Sequence, residues 1–464
     1  MARSYLPYTI DQRLLLPPDM REWLPEGHLA LFVLDVVSVL DLSAIHRVYE
    51  TRDDRGRAGF DPTMMVALLV YAYCVGKPSS RKVERATYED VAFRVLAGDQ
   101  HPDHDTIATF RKEHLAALAG LFAQVLQLCQ KAGLVKLGHI AIDGSKVKAN
   151  ASKHKAMSYE RMGETEKRIE KEVAELLARA EQADAQEDAE YGQGRRGDEL
   201  PKELARRESR LAKIREAKAA LEAEAKAKVA PKTEETQAEA SKGDGTADST
   251  APAPASKTAD STEPKPDPKA QRNFTDPESR IMPDGAHKGA FVQAYNVQIA
   301  VDAEAQIIVA ADVVQAANDV RQLVPMAEAI VANVGALAAT TSADSGYFSK
   351  DNVEHPALAA THLLVPPSRQ KHGQAPSPGS DDPSASPADR MRHKLASDAG
   401  RALYKMRKAI VEPVFGQLKA ARGMRQFLMR GLEAARGEFA LMALTHNLLK
   451  LFRRGVPAFA PIAG

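Results

Sequence analysis

His139-Ile-Ala-Ile-Asp143-Gly144-Ser145-Lys146 is the stretch where the chain changes its grammar. A short β-prone apolar run meets an acid and a glycine, so it reads as a strand closed by Asp143. Asp-Gly alone is also a hairpin-turn signal, and both readings stand at this point. Upstream, residues 1–135 read as helical. Leu29, Phe32, Val33, Val36, Val37 and Leu40 recur at the spacing of one buried helix face. Asp61-Pro62 places a capping carboxylate before a proline suited to the first helical position, and the apolar run that follows stops at Gly76. Ser79-Ser80-Arg81-Lys82 opens a further unit that breaks over Asp99 to Asp105 and resumes at Ile107. Two helices with Arg81, Lys82, Arg85, Arg94, Arg111 and Lys112 nearby suit helix-turn-helix DNA binding, and an ordinary bundle with a solvated charged face equally. His101 and His104 sit around Pro102 in a turn, where Asp103 or Asp105 capping the next helix is preferred over a metal site.

Downstream, Tyr295 to Val301 and Ile307 to Val313 read as a hairpin, and a helix is expected from Asp319 through Val334. In it Asp319 serves as a cap or supports a site. A short strand then leads into Asp344, Thr361 to Val365 forms another, and the chain is helical again from about Leu395. Two insertions interrupt this α/β unit. In residues 157–228, one stripe of Ile169, Val173 and Leu176 and another of Leu204, Leu211, Ile214 and Leu221 predict an exposed antiparallel helical hairpin. Residues 229–272 are almost devoid of large apolar side chains and are expected to be a disordered linker; residues 369–390, rich in Pro, Ser and Asp, are expected to be a disordered loop.

With 464 residues, the chain has room for several domains and needs no disulfide scaffold. Its two cysteines, Cys74 and Cys129, lie in apolar helical stretches and read as buried thiols of a reducing compartment. No export signal and no membrane span is read, which points to the cytoplasm. The 63 basic and 62 acidic residues nearly cancel. Between Arg401 and Arg454, however, there are twelve Lys/Arg against Glu412, Glu433 and Glu438, so the end of the chain suits a polyanion.

Three acids stand where an α/β scaffold can aim them inward: Asp143, Asp344 and Glu412. Each alone has a bland explanation as a turn, a cap or a solvated helix acid. Together, carboxylates within a few ångströms of one another favour protonation unless a cation neutralises them. Two Mg²⁺ ions, with Mn²⁺ as a substitute, would serve, and two-metal chemistry suits attack on a phosphodiester.

The runs Ile142-Asp143-Gly144-Ser145-Lys146, Ala343-Asp344-Ser345-Gly346-Tyr347-Phe348 and Tyr404 through Arg407, Lys408, Glu412 and Phe415 to Lys419 resemble the three acidic motifs of bacterial insertion-sequence DDE transposases. Supporting text lies in Ser79 to Lys82, His101 to Ile107, Asn273 to Arg280 and Tyr295-Asn296-Val-Gln298. The resemblance covers about residues 1–155 and 273–455. It implies a ribonuclease H-like α/β fold, a mixed sheet with flanking helices over 136–156 and 273–455, preceded by an all-helical N-terminal DNA-binding domain over 1–135. Asp143, Asp344 and Glu412 would be both the metal ligands and the catalytic acids.

The family signature Tyr-x2-Arg-x3-Glu-x6-Lys implies DNA contacts for Tyr404, Arg407 and Lys419, but here four residues separate Arg407 from Glu412. On a continuous helix at about 100° per residue, Lys408 lies about 40° from Glu412 and Arg407 about 140° away, which favours Lys408; Pro413 would kink or restart that helix. Both basic residues are kept. Arg422 and Arg425, with Arg430 and Arg436, are expected phosphate contacts because matching acids are scarce nearby. Ser145 and Ser345 stand where relatives often have Thr and Ala.

The function so implied is a DNA transposase, nucleoid-associated when acting. It binds terminal inverted repeats, cleaves at the element ends and joins the 3′ ends to target DNA, as a homodimer in the synaptic complex and with no nucleotide cofactor. The alternatives are a metal-dependent nuclease without strand transfer and a catalytically inactive DNA-binding relative.

Overall fold

The computed structural model describes residues 19–50, 59–191, 202–240, 265–285, 287, 289–368 and 379–455. Contacts divide the chain into two compact units: one formed by residues 1–147 and 296–464, the other by residues 148–295.

The first unit opens with helices α1 (Leu29–Val39), α2 (Ser43–Glu50), α3 (Pro62–Cys74), α4 (Ser80–Glu89), α5 (Val91–Leu96), α6 (His104–Glu113) and α7 (Leu115–Lys131). Their ends follow from local chemistry. Asp61 accepts from the amides of Thr63 and Met64 with Pro62 in the first turn, and the chain leaves α3 through Gly76 at φ +73°. Asp103 caps α6 through the Thr106 amide. His104 pairs with Glu84 at 2.7 Å, and His101 lies against Thr87 and stacks on Tyr88, so both histidines have structural partners. Val33, Val36, Val37, Met65, Leu69, Leu118 and Val125 are buried, which makes this region one helical core.

Strand β1 (His139–Lys148) follows. It does not end at Asp143: the acid and Gly144 lie mid-strand, and Gly144 does not adopt the positive φ of a turn glycine. The later strands of the sheet are the end of one that begins in the second unit, described below, and three that lie within the first unit. In the second unit, β2 (Ala156–Ser158) leads into α8 (Tyr159–Tyr191); α9 (Lys202–Ala240) packs against α8, and β3 (Gln271–Asn273) pairs antiparallel with β2. The contact between the two long helices is built on Met162, Ile169, Leu211, Ile214, Ala217 and Leu221, with Val173 partly buried against them. Residues 229–240 continue helix α9 and residues 265–272 form a turn and the start of β3, both against the expected disordered linker of 229–272; residues 241–264 lie outside the described residues. β4 (Arg280–Pro283) then pairs antiparallel with the start of β5 (Phe291–Asp302).

Back in the first unit, β5 pairs antiparallel with β6 (Ile308–Val314). Helix α10 (Leu323–Val334) begins later than expected: Asp319 to Gln322 is a turn, and Gln322, not Asp319, holds the cap position. β7 (Thr340–Ser342) pairs parallel with β1; α11 (Lys350–Val353) and β8 (His362–Leu364) follow, β8 lying parallel to β7. β1 runs antiparallel to β5, the His139 carbonyl accepting from the Ala303 amide and the Ala149 amide donating to the Gln293 carbonyl. The strand order across the first unit is therefore β6-β5-β1-β7-β8.

Of the expected disordered loop, residues 369–378 lie outside the described residues. Residues 379–390 depart from that expectation: Ser386 caps α12 (Pro387–Ala396) through the Asp389 amide, with Pro387 at its first turn. Two long helices, α13 (Asp398–Gly416) and α14 (Leu432–Arg453), complete the unit, and α14 packs against α7, α3 and β6. Among the described residues, no single helix is long and apolar enough to cross a membrane.

Candidate active site

The parallel register of β1 and β7 sets the site. Ala141 is opposite Ser342, and two residues beyond each comes an acid: Asp143 on β1 and Asp344 at the exit of β7. Adjacent strands run about 4.8 Å apart, so the register alone makes these carboxylates neighbours. Asp344 caps a single 3-10 turn, Ser345–Tyr347, by accepting from the Gly346 amide at 2.8 Å. Burial pushes the Asp143 carboxyl up to about 6; Arg407 opposes that shift and the Asp344 charge adds to it.

Two cations from this chain meet those acids. Arg407 donates from Nη1 to Asp143 Oδ2 at 3.2 Å. Lys146 lies among Asp319, Asp344 and Asp143, its Nζ 4.0 Å from Asp319 Oδ1; burial lowers its pKa and the three acids oppose that shift. Lys419, from the π-helical turn Gln417–Ala421, donates to Ser145 Oγ at 2.5 Å and to the Lys146 carbonyl at 2.6 Å, which gives Ser145 a defined task. The Arg407 guanidinium also lies over the Tyr404 ring, 5.9 Å from its centroid.

Helix α13 passes through Pro413 unbroken, against expectation. A proline there removes the amide that would bond the carbonyl four residues back, at Ala409. Gln306 Nε2 fills that place, donating to the Ala409 carbonyl at 3.0 Å. On this continuous helix Arg407, Ile410, Val411 and Val414 form the buried stripe, which Leu418 of the following π-helical turn extends, while Lys408 and Glu412 are exposed. Arg407 belongs to the inward stripe and makes the Asp143 contact, while Lys408 lies with Glu412 on the exposed face, as the helical spacing expects of a continuous helix.

Glu412 is not gathered with Asp143 and Asp344. Among the described residues, no three His, Cys, Asp or Glu side chains form a metal-holding group. The pair Asp143 and Asp344 has the chemistry such a group needs, hard oxygen donors whose mutual repulsion a cation relieves. Asp143 and Asp344 are thus two neighbouring oxygen donors of the kind a divalent cation takes, and Glu412, on the exposed face of α13, is not grouped with them.

The expected phosphate contacts divide. Arg425 is exposed and donates from Nε to the Lys419 carbonyl. Arg422 does not face solvent: it is buried, donates to Thr445 Oγ1 at 2.7 Å, and burial lowers its pKa to about 10. Its backbone packs against Gly76, where an added Cβ would lie 2.8 Å from the Arg422 carbonyl oxygen, so it serves the core between α3 and α14. Arg436 has an acid partner after all, Asp312 on β6 at 3.0 Å.

Sequence reasoning left the polar floor of the site unassigned. Asn296 and Gln298 are both fully buried on β5. Their side chains meet Asp319, and the Tyr347 hydroxyl donates to Gln298 Oε1. The available signal was a pair of amides at alternate positions of an otherwise apolar strand. Gly144 is what lets this layer close: a Cβ there would lie 2.6 Å from Asp319 Oδ1 and 2.6 Å from Gln298 Nε2.

Two family models match the chain. One, described as Transposase domain (DUF772), matches residues 18–113; the other, described as Transposase DDE domain, matches residues 380–452. No curated protein and no solved structure matches it.

Proposed function

The chain belongs to the DDE transposases of insertion sequences, and on that premise we propose that it binds the terminal inverted repeats of a mobile element, cuts phosphodiester bonds at the ends and joins the freed 3′ ends to target DNA. The observation that carries this reading is the register-matched pair Asp143 and Asp344, with Arg407 against it. The strand order β6-β5-β1-β7-β8, with β1, β7 and β8 parallel and β5 antiparallel to β1, supports a ribonuclease H-like catalytic domain.

Asp143 and Asp344 would hold a divalent cation, Mg²⁺ or in its place Mn²⁺, and Glu412 would complete a two-ion site once DNA binding brings it to them. Bound there, the cations would supply Lewis-acid stabilisation of the attacking and leaving oxygens. The chain's own residues orient the substrate. Glu412 and Lys408 share the exposed face of α13 and reach the approaching strand together. Arg407 lies beside the reacting phosphate and counters the charge that grows on its oxygens. Lys419 pins the Ser145–Lys146 backbone next to Asp143, and Tyr404 and Arg425 contact the sugar-phosphate backbone. Water attacks phosphorus in the first step, and the bond to the 3′ oxygen breaks, leaving a 3′ hydroxyl. That hydroxyl attacks a target phosphodiester in the second step, and the target strand's own 3′ oxygen leaves. The N-terminal helices add a second DNA contact through Arg81, Lys82 and Arg85, exposed together on α4. Two ends held at once call for two chains, hence a homodimer.

The test is to incubate the protein with Mg²⁺, labelled element ends and a plasmid. Cut ends carrying 3′ hydroxyls together with joined product support the reading. Cut ends with no joined product favour a nuclease, and unchanged cutting by Asp143→Ala removes the metal-site reading.

A further inference from the structure

Behind Asp143 and Asp344 lies a layer of polar side chains whose orientation is set by one charge. Asp319 Oδ1 accepts from Asn296 Nδ2 at 2.7 Å and from Gln298 Nε2 at 2.7 Å. A carboxylate only accepts, so both amides must turn their NH2 groups towards it. Gln298 then has only its carbonyl to offer on the other side, and the Tyr347 hydroxyl donates to that oxygen. Asn296 spends its second donor on the Ala316 carbonyl at 3.0 Å, and its own Oδ1 is left buried without a hydrogen-bond partner. A neutral amide at position 319 would let Asn296 and Gln298 flip. The orphaned carbonyl therefore marks an arrangement imposed by negative charge rather than by complete pairing.

Tyr347 closes the 3-10 turn that Asp344 opens. Asn352 ties the same turn to the Asp319 segment, donating to the Tyr347 carbonyl at 2.8 Å and also to the Val320 carbonyl. On the other flank, the Asp319 carboxylate packs over Gly144, the residue after Asp143. The geometry points to Asp319 as a positioning residue: through Gln298 and Tyr347 its charge holds the Asp344 turn level with Asp143, and this rests on the proposed use of those two acids.

Asp319→Asn is the variant to examine, because it keeps shape and acceptor while adding a donor. Hydrogen exchange in the peptide Asp344–Phe348 of the full chain should rise about tenfold, since Gly346 donates its amide to Asp344, while the melting temperature stays within about 2 °C. The rate constant for end cleavage should fall on the order of 10- to 100-fold with KM for DNA unchanged. Tyr347→Phe should reproduce both effects, and the double variant should add nothing to either. Unchanged exchange in that peptide for both single variants overturns the proposal whatever the activity. Fully additive effects in the double variant also overturn it. Should Asp143→Ala cut as fast as the parent, the reading of the reaction falls instead, and the exchange result still decides the role of Asp319.

Discussion

His446 gives a prediction whose size follows from its burial. It lies on α14, almost wholly buried, with Nε2 2.8 Å from the Gln306 carbonyl. Burial lowers its pKa from 6.5 to about 3; the bond to Gln306 opposes that shift, and Arg422, Lys450 and Arg453 add to it. The folded state therefore keeps this ring neutral where the unfolded chain takes up a proton. Stability from this group is whole above pH 6.5 and is lost as pH falls towards 3, at about 1.4 kcal/mol per unit. Between pH 6.5 and 5 the loss is about 2 kcal/mol. His446→Gln can still donate to the Gln306 carbonyl and does not titrate. Denaturant midpoints for both proteins at pH 7.5 and pH 5, at constant ionic strength, isolate the group. Carboxyl groups such as Glu438, whose pKa burial raises, contribute equally to both and cancel. The parent's advantage over the variant should shrink by about 2 kcal/mol at pH 5. An advantage independent of pH would refute the argument. The contact matters beyond stability, because Gln306 also bridges the gap that Pro413 leaves in α13.

Gly144→Ala should cost about 1–3 kcal/mol by overpacking against Asp319 and Gln298 and should abolish end cleavage, as read by melting and by product gels; a stable, active variant contradicts the close approach. Glu438→Ala should cost about 3–5 kcal/mol in chemical denaturation, because it strands the Leu428 and Met429 amides, the Tyr73 hydroxyl and Arg111 in the interior; a loss under about 1 kcal/mol contradicts that account. Arg407→Ala should lower the cleavage rate constant, whereas Lys408→Ala should weaken DNA binding and reduce the salt slope by about one with the rate constant kept. The opposite division would give Lys408, not Arg407, the place beside the reacting phosphate.

Local grammar was legible wherever one segment carried its own evidence. The spacing from Leu29 to Leu40, the Asp61-Pro62 cap, the Asp103 cap and the β5–β6 hairpin all appear close to where they were read. What escaped depends on partners far along the chain. Gly144 resembled a turn because the reason for its missing side chain, Asp319, lies beyond the hairpin. Asp319 was open between a cap and a support for the site because the two amides that claim it stand on β5. Pro413 resembled a helix break because Gln306, which satisfies the freed carbonyl, is in another element. Arg422 resembled a surface cation because burial between α3 and α14 leaves no local mark. Glu412 was singled out by motif alone, and the structure puts it on the exposed face of α13, beside the buried stripe and apart from Asp143 and Asp344.

If Asp143 and its acidic partners drive phosphodiester chemistry on element ends, end cleavage in Mg²⁺ by Asp143→Ala, followed beside binding of the same DNA, will show it. Cleavage should fall by a factor of about 10²–10³ with DNA affinity kept. Cleavage at the parent rate would contradict it.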